Sequence, residues 1–590
     1  MKQFLMTMAG VFAGLVLFFV GAPFVLILLA ASASRAPATP GVAVLSLDLR
    51  RPLTDQTSDN PLAAFGRGSV SVMSVIETLH RAERDSRVKA LFVRLPEGGM
   101  APAAADELRT AFKTFEAAGK PVIVHSQGLY PSGVITSTYM LGAAASELWM
   151  QPGAPFQATG LASEEMFFKR LFDKYGVKPE FEQRYEYKNA VNGYLYADFT
   201  PAHRESSLSW MGSVYQSALA AAAADRKMDP QTLRTTIEAG PYDAGDARAK
   251  GLVDKLGQVT DAKAAALSRG GAGAKMIDLD DYASQARALD GVGVGPTVAV
   301  VNAEGDIMTG PSNDGFGSGA NINSDDVSEA LATAARDDSV KAIVFRLSSP
   351  GGSDTASEQI LSAVRAAKAR KPVVVSMGTY GASGGYWVSS AASAIVADPT
   401  TLTGSIGVFG GKFVIGPALA KFGVDLRPIG VGGDYAGADG AAQPFNPHQR
   451  AAFAAAIDKV YDGFIARVAS GRKLAPARVR EIAKGRVWTG VQARQLGLVD
   501  DVGGFYQAVD KAKALSGLAG QSVRLKTVSV RRSPFEAIER AFGISSTSLR
   551  AVMVAAQVLA DPRAQSLLDQ VGQARLRAQG ADVLSPVRLP

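Results

Sequence analysis

The sequence predicts an α/β protein: two tandem domains built of βαβ units, made by internal duplication and preceded by one transmembrane helix. Three observations carry this. Four segments return in the same order about 250 residues later: KALFVRLPEGG (Lys89 to Gly99) as KAIVFRLSSPGG (Lys341 to Gly352), GKPVIV as RKPVVV, YMLGAAASELWMQP as YWVSSAASAIVADP, and ARAKGLVDKLG as ARQLGLVDDVG. That spacing is far too long for a solenoid repeat and means a duplicated domain. Within each copy, β-branched runs such as Val298 to Val301, Ile343 to Leu347 and Val373 to Val375 alternate with alanine-rich stretches of helical spacing such as Ser357 to Ala369. This is the pattern of parallel strands buried on both faces and connected by helices. Finally, Phe4 to Ala33 carries no charge.

In chain order, residues 1–35 are read as a cytoplasmic end and membrane anchor. The uncharged run exceeds the roughly 20 residues that cross a bilayer core. Ala31-Ser32-Ala33 has the form of a signal-peptidase site, but the run also exceeds the roughly 7 to 15 apolar residues of a cleavable signal, so an uncleaved anchor is expected. Lys2 and the amino group favour a cytoplasmic amino end. Residues 41–269 form the first repeat, and 270–296, flanked by GGAGAK and GVGVGP, read as a linker. The GVGVG motif precedes its strand, which argues against a dinucleotide site. Residues 297–517 form the second repeat. Residues 518–590 are a tail with helical periodicity in FEAIERAF and SLLDQVGQARLRAQ, suited to packing on a subunit or a membrane surface.

The chain has 590 residues, 47% of them hydrophobic, enough for more than one core. Its net charge of +7 is scattered, without a run of five basic residues, which argues against a nucleic-acid surface. With no cysteine and only four histidines, none at metal-ligand spacing, neither a thiol nucleophile nor a metalloenzyme is expected.

The chemistry centres on GASGGYW, Gly381 to Trp387. A serine between glycines directly after an apolar strand is placed like a nucleophile on a sharp turn. In open α/β sheets, sites form at the carboxyl ends of strands, where the loop SSPGGS (Ser348 to Ser353) also ends. Aligned through Tyr139 and Tyr386, the first copy has Thr136 opposite Ser383, and it offers Pro96-Glu97 in place of the Pro350 loop. The first copy alone has a lysine in RYEYKNAV, where the second has a glycine-rich stretch with Tyr435 opposite Lys188. One copy keeps a serine and the other a lysine, as a single composite site would leave behind. A lysine serves as the base for a serine hydroxyl when burial depresses its pKa, and the neighbouring Tyr185, Tyr187, Tyr194 and Tyr196 read as the groups excluding water. Backbone N–H groups of Gly384 and Gly352 are placed to hold an oxyanion.

These residues give the chain a resemblance to the long, duplicated form of signal peptide peptidase A, a family of membrane-anchored Ser/Lys proteases with the fold of Clp proteases and crotonases. SPGGS, GASGGYW, TGSIGV, YKNAV and the repeated GLVD carry the likeness, which extends from the anchor to about Gly517. The resemblance implies Ser383 as nucleophile, Lys188 as general base, Gly384 and Gly352 as oxyanion donors and Ser405 as the residue orienting the lysine. It also implies cleaved signal peptides as substrates, no cofactor or metal, a bowl-like homotetramer, and catalytic domains on the extracytoplasmic side of the inner membrane. Asn189 and Asn192 depart from the family's usual small and acidic residues beside the lysine.

Three rivals compete. Gly381 to Gly385 also fits the G-x-S-x-G of α/β-hydrolase esterases, with His448 as the downstream histidine. A crotonase-like acyl-CoA enzyme has no use for Ser383. An inactive tethered scaffold would not need Ser383 and Lys188 together. The S-x-x-K at Ser86 to Lys89 becomes Asp338 to Lys341 in the duplicate, and reads as a polar turn before a strand.

Overall fold

The computed structural model describes residues 38–56, 69–289, 295–312, 321–529 and 583–584. The expected anchor at 4–33 and the two tail helices lie outside these residues. Among those described, no helix is long and apolar enough to cross a membrane.

In the first repeat, short pairings outside the main sheet aside, the strands that build that sheet and the site are β1 (Ala43–Asp48), β2 (Val88–Arg94), β3 (Val122–Ser126), β4 (Glu147–Met150), β5 (Lys178–Arg184), β6 (Lys255–Leu256) and β7 (Lys275–Asp278). All but β5 form a parallel sheet in the order β6-β4-β3-β2-β1-β7. The apolar runs LFV and VIV are buried on both faces, as parallel strands covered by helices must be.

The second repeat repeats the plan with β8 (Thr297–Glu304), β9 (Asp306–Met308), β10 (Val340–Ser349), β11 (Gly351–Gly352), β12 (Val373–Ala382), β13 (Ala394–Ala397), β14 (Leu402–Gly404), β15 (Val408–Val414), β16 (Val487–Thr489), β17 (Asp501–Val502) and β18 (Arg524–Thr527). The main sheet runs β16-β14-β12-β10-β8-β18, with β13 joining β12 to β17. Strand β12 is long enough to pair with β13 through Val374 to Met377 and with β14 through Tyr380 to Ala382. Its upper half therefore projects beyond the sheet body towards Ser383.

Residues 270–296, expected as a linker, hold β7 and a helix, Leu279–Leu289, whose Tyr282 and Ala283 are buried. Strand β7 extends the first sheet beside β1 just as β18 extends the second beside β8. Gly271 and Gly273, both at positive φ, turn the chain into an edge strand that belongs to its own repeat.

The repeats share a core. Ala508, Val509 and Ala512 of the helix Phe505–Leu515 and Val298, Val344 and Val374 of the second sheet pack in one apolar cluster with Leu108, Phe112 and Phe115 of the first repeat. The repeats are also stitched by an antiparallel ladder between β5 and β15.

A buried ionic cluster lies at the same junction. Arg346 on β10 is fully buried. Its guanidinium donates to both Asp55 oxygens, to Glu107 Oε1 at 2.6 Å and to Ser376 Oγ at 3.0 Å. Glu304 accepts from the backbone N–H groups of Asp55 and Gln56, and Asp106 accepts from Thr400 Oγ1 at 2.6 Å. Burial pushes the carboxyls of Asp106 and Glu304 up to about 7, and that of Asp398 up as well. One arginine among five carboxyls keeps its interior near neutrality only if some of them hold protons.

Candidate active site

Ser383 sits where β12 gives way to the short helix Gly384–Ser389, with φ 54° and ψ −118°. A non-glycine residue at positive φ is strained. Two backbone bonds hold it: Ser383 N–H donates to the Gly404 carbonyl at 2.9 Å, and Trp387 N–H donates to the Ser383 carbonyl at 2.9 Å. The glycines on either side are needed by packing. A Cβ on Gly381 would meet the Met377 sulfur at 2.4 Å, and one on Gly385 would meet the Ser349 carbonyl oxygen at 2.8 Å.

Lys188 arrives from the other repeat. It follows β5 and precedes the short 3-10 turn Asn189–Val191. Its Nζ lies 2.9 Å from Ser383 Oγ, 3.0 Å from the Ser405 carbonyl oxygen and 3.1 Å from Ser405 Oγ. All three partners are neutral oxygens. Lys188 and Ser383 are fully buried, and burial alone drives the lysine pKa well below its ordinary value. A shift in this direction favours the neutral amine, the form with a lone pair to offer.

The water-excluding wall differs from the expected one. Of the four tyrosines, Tyr185 and Tyr196 are exposed, while Tyr187 and Tyr194 are half-buried. Closure comes from the second repeat, where Gly485 (φ 81°) lies against the lysine so closely that a Cβ there would sit 2.5 Å from Lys188 Cβ. Tyr187 N–H donates to the Lys484 carbonyl at 3.2 Å, pinning the two segments together. Only a three-dimensional contact between residues some 300 positions apart shows this role for Gly485, and no motif marks it.

Ser405 also has positive φ, 47°, and its N–H donates to the Arg486 carbonyl at 2.7 Å. That conformation turns both its carbonyl and its hydroxyl onto the lysine amine. Gly384 and Gly352 lie side by side: a Cβ on Gly384 would be 3.1 Å from Gly352 N and 2.7 Å from Ser357 Oγ. Gly384 opens a helix, whose first N–H groups have no intrahelical acceptor. Gly352 has φ 154° and pairs with Ile307 of β9, where a Cβ would strike the Ile307 carbonyl at 2.1 Å. The other edge of β11 takes an antiparallel strand, Val583–Leu584.

The remaining sequence candidates fall elsewhere. His448 stands in the first turn of the helix Pro447–Arg472, with its side chain 73% exposed and Nδ1 2.9 Å from Asp434. Thr136, the counterpart of Ser383, is buried within the helix Ile135–Ala143, and its hydroxyl has no partner among the described residues. Tyr435, the counterpart of Lys188, is exposed. No cluster of metal-ligating residues occurs among the described residues.

Comparison with known proteins adds an independent line. The pattern of Peptidase family S49 matches residues 114–271 and 365–519, once in each repeat. The chain is 33% identical over 500 residues to "Protease 4" of Salmonella typhi, covering 80% of this chain and 78% of that protein. It is 34% identical over 464 residues to "Protease 4" of Haemophilus influenzae, covering 76% and 73%. With "Serine protease SPPA, chloroplastic" of Arabidopsis thaliana it shares 27% identity over 488 residues, covering 80% and 68%.

Proposed function

Because the chain belongs to peptidase family S49 and is a serine protease, we propose that it is a membrane-anchored endopeptidase that degrades cleaved signal peptides with a Ser383/Lys188 dyad. The observation that carries this reading is the 2.9 Å approach of a buried lysine amine to a buried serine hydroxyl, with no charged partner among its hydrogen bonds. Neutral Lys188 takes the Ser383 proton as Oγ attacks the scissile carbonyl. The oxyanion of the tetrahedral intermediate is held by the N–H groups of Gly384 and Gly352. Its collapse leaves an acyl-serine, and the lysine passes the proton to the leaving amine. Water, activated by the same lysine, then releases the acyl group and restores Ser383. Ser405 positions the amine through its carbonyl and hydroxyl.

An extended peptide suits this site, because the edge of β11 beside the proposed oxyanion donors pairs with an antiparallel strand. The uncharged run at 4–33 supports a single-pass anchor in the inner membrane, with both repeats on its extracytoplasmic side. The chain assembles as a homotetramer and uses no metal or organic cofactor.

The test is hydrolysis of an apolar signal-peptide fragment by the detergent-solubilised chain and its Ser383→Ala and Lys188→Ala variants across pH. Both variants are expected to be folded and inactive, and the parent rate to rise with pH to a plateau below the ordinary lysine range. Activity surviving in Lys188→Ala and lost in His448→Ala would transfer the reading to an esterase-type mechanism. A folded parent that cleaves neither peptides nor esters would leave a scaffold.

A further inference from the structure

The duplication predicts a second copy of an interface that the chain makes only once. Aligning Lys174-Tyr175-Gly176-Val177 with Lys421-Phe422-Gly423-Val424 places β5 (Lys178–Arg184) over residues 425–431, and β15 (Val408–Val414) over residues 161–167. Within one chain β5 pairs antiparallel with β15. Their two counterparts form no ladder among the described residues, although both run as non-helical backbone. They are also unusually apolar for exposed chain: Ile429 is 99% exposed, Val431 97% and Met166 76%.

Transferring the observed register to the counterparts gives complementary pairs. Lys412 stands opposite Glu180 in the existing ladder, and its equivalent pair is Glu165 opposite Arg427, the same complementarity with the signs exchanged. Phe413 opposite Pro179 becomes Met166 opposite Leu426, and Val408 opposite Arg184 becomes Leu161 opposite Val431. Pro428 falls two residues beyond the position of Pro179 and so in the same alternate class, where the existing ladder already tolerates a residue without an N–H. In the single chain Glu165 is 3.2 Å from His203 and Arg427 3.2 Å from Asp425, so each has one intrachain contact that a cross-strand partner can replace.

We propose that residues 425–431 of one chain pair antiparallel with residues 161–167 of a second copy, in the register of β5 on β15. This rests on the homo-oligomer reading above and gives that assembly its contact surface. The pairing is head-to-tail, since each copy offers one of the two segments at either end. Such contacts close into a ring when the rotation allows. Each chain then repeats between molecules the joint that, within the molecule, carries Lys188 to Ser383. Exposed strand-length segments with apolar residues are otherwise an aggregation hazard, which a self-complementary partner removes.

Because the chain has no cysteine, the register is directly testable. Full-length Met166→Cys and Leu426→Cys variants, expressed separately with tags of different size, are solubilised in detergent, mixed and oxidised. The two positions correspond to a pair that exchanges no N–H bonds, where Cα atoms approach within disulfide reach. The expected product is a covalent dimer containing one of each variant, with little from either alone. A second measurement uses the charges: Glu165→Lys lowers the assembled fraction about tenfold, and adding Arg427→Glu to the same chain restores it. An oligomer by mass measurement that yields neither cross-link nor charge-swap rescue overturns the proposed surface and leaves the homo-oligomer reading standing. A chain monomeric at all concentrations overturns both. If the cross-link is absent and Ile429→Asp/Val431→Asp abolishes binding to phospholipid vesicles by a chain lacking residues 1–37, with activity retained, the exposed segment is a membrane contact and the proposal fails.

Discussion

Replacing Lys188 with methionine tests the neutrality of the proposed base without measuring catalysis at all. The buried amine has a folded-state pKa well below 10.5, set by desolvation. In the unfolded chain it regains the ordinary value. Between those two pKa values the unfolded chain holds one proton more than the native protein, so the stability conferred by the native lysine rises with pH. The slope is about 1.4 kcal/mol per pH unit, whatever the offset from lost hydrogen bonds, because each pKa unit is worth that much. Two pH values one unit apart within that window therefore differ by about 1.4 kcal/mol in the gain of the wild type over Lys188→Met. Urea denaturation of both proteins at the two pH values, in one detergent, measures the difference, and other titrating groups cancel in it. A difference that stays flat means a lysine that is equally protonated in both states, and the whole case for a neutral base collapses.

The other expectations follow from contacts already described. Gly384→Ala places a Cβ 2.7 Å from Ser357 Oγ and 3.1 Å from Gly352 N, pushing the two proposed donors apart; kcat is expected to fall by about a hundredfold, as for an oxyanion donor out of place, with a lower Tm from the crowding. Gly485→Ala forces an alanine to φ 81° and into Lys188 Cβ, so it should cost about 1–3 kcal/mol from strain alone, together with activity. Calorimetry beside a peptide-hydrolysis assay checks both. Asp106 carries the opposite pH signature to Lys188. With its folded pKa raised to about 7 from 3.8, its contribution to stability is complete below 3.8 and is lost as pH climbs to 7, so Asp106→Asn gains on the wild type by about 4 kcal/mol across that window. Denaturation midpoints of the two proteins at pH 4.5, 6 and 7.5 read this, and parallel profiles would mean that Asp106 is ionised in the native state.

The strands with doubly buried β-branched runs were legible because a parallel strand covered by helices has no polar face to confuse the pattern. Ser383 and Lys188 were legible for a different reason, since each repeat serves as the control for the other. What escaped was long-range. Strand β7 has the sequence KMID, four residues with two charges, and its partner Ala43–Ser46 lies over 200 positions away, so its glycine-rich flanks dominated the reading. Gly485 closes over Lys188 through tertiary contact alone. Arg346 occupies the position that Arg94 holds in the first copy, yet Arg94 is half-buried beside Gln127 while Arg346 is sealed among carboxyls contributed by the other repeat. Similar local sequence thus hides different electrostatic surroundings.

The lysine precedes the serine by 195 positions, and the glycine that closes over it comes later still. In the proposed dyad, the first repeat emerges during synthesis carrying a lysine with no serine beside it, and the second supplies the hydroxyl that the lysine meets only when the repeats dock. With the proposed dyad, the site is assembled only once translation has passed residue 485 and both repeats have docked, so the onset of hydrolysis would time the completion of folding.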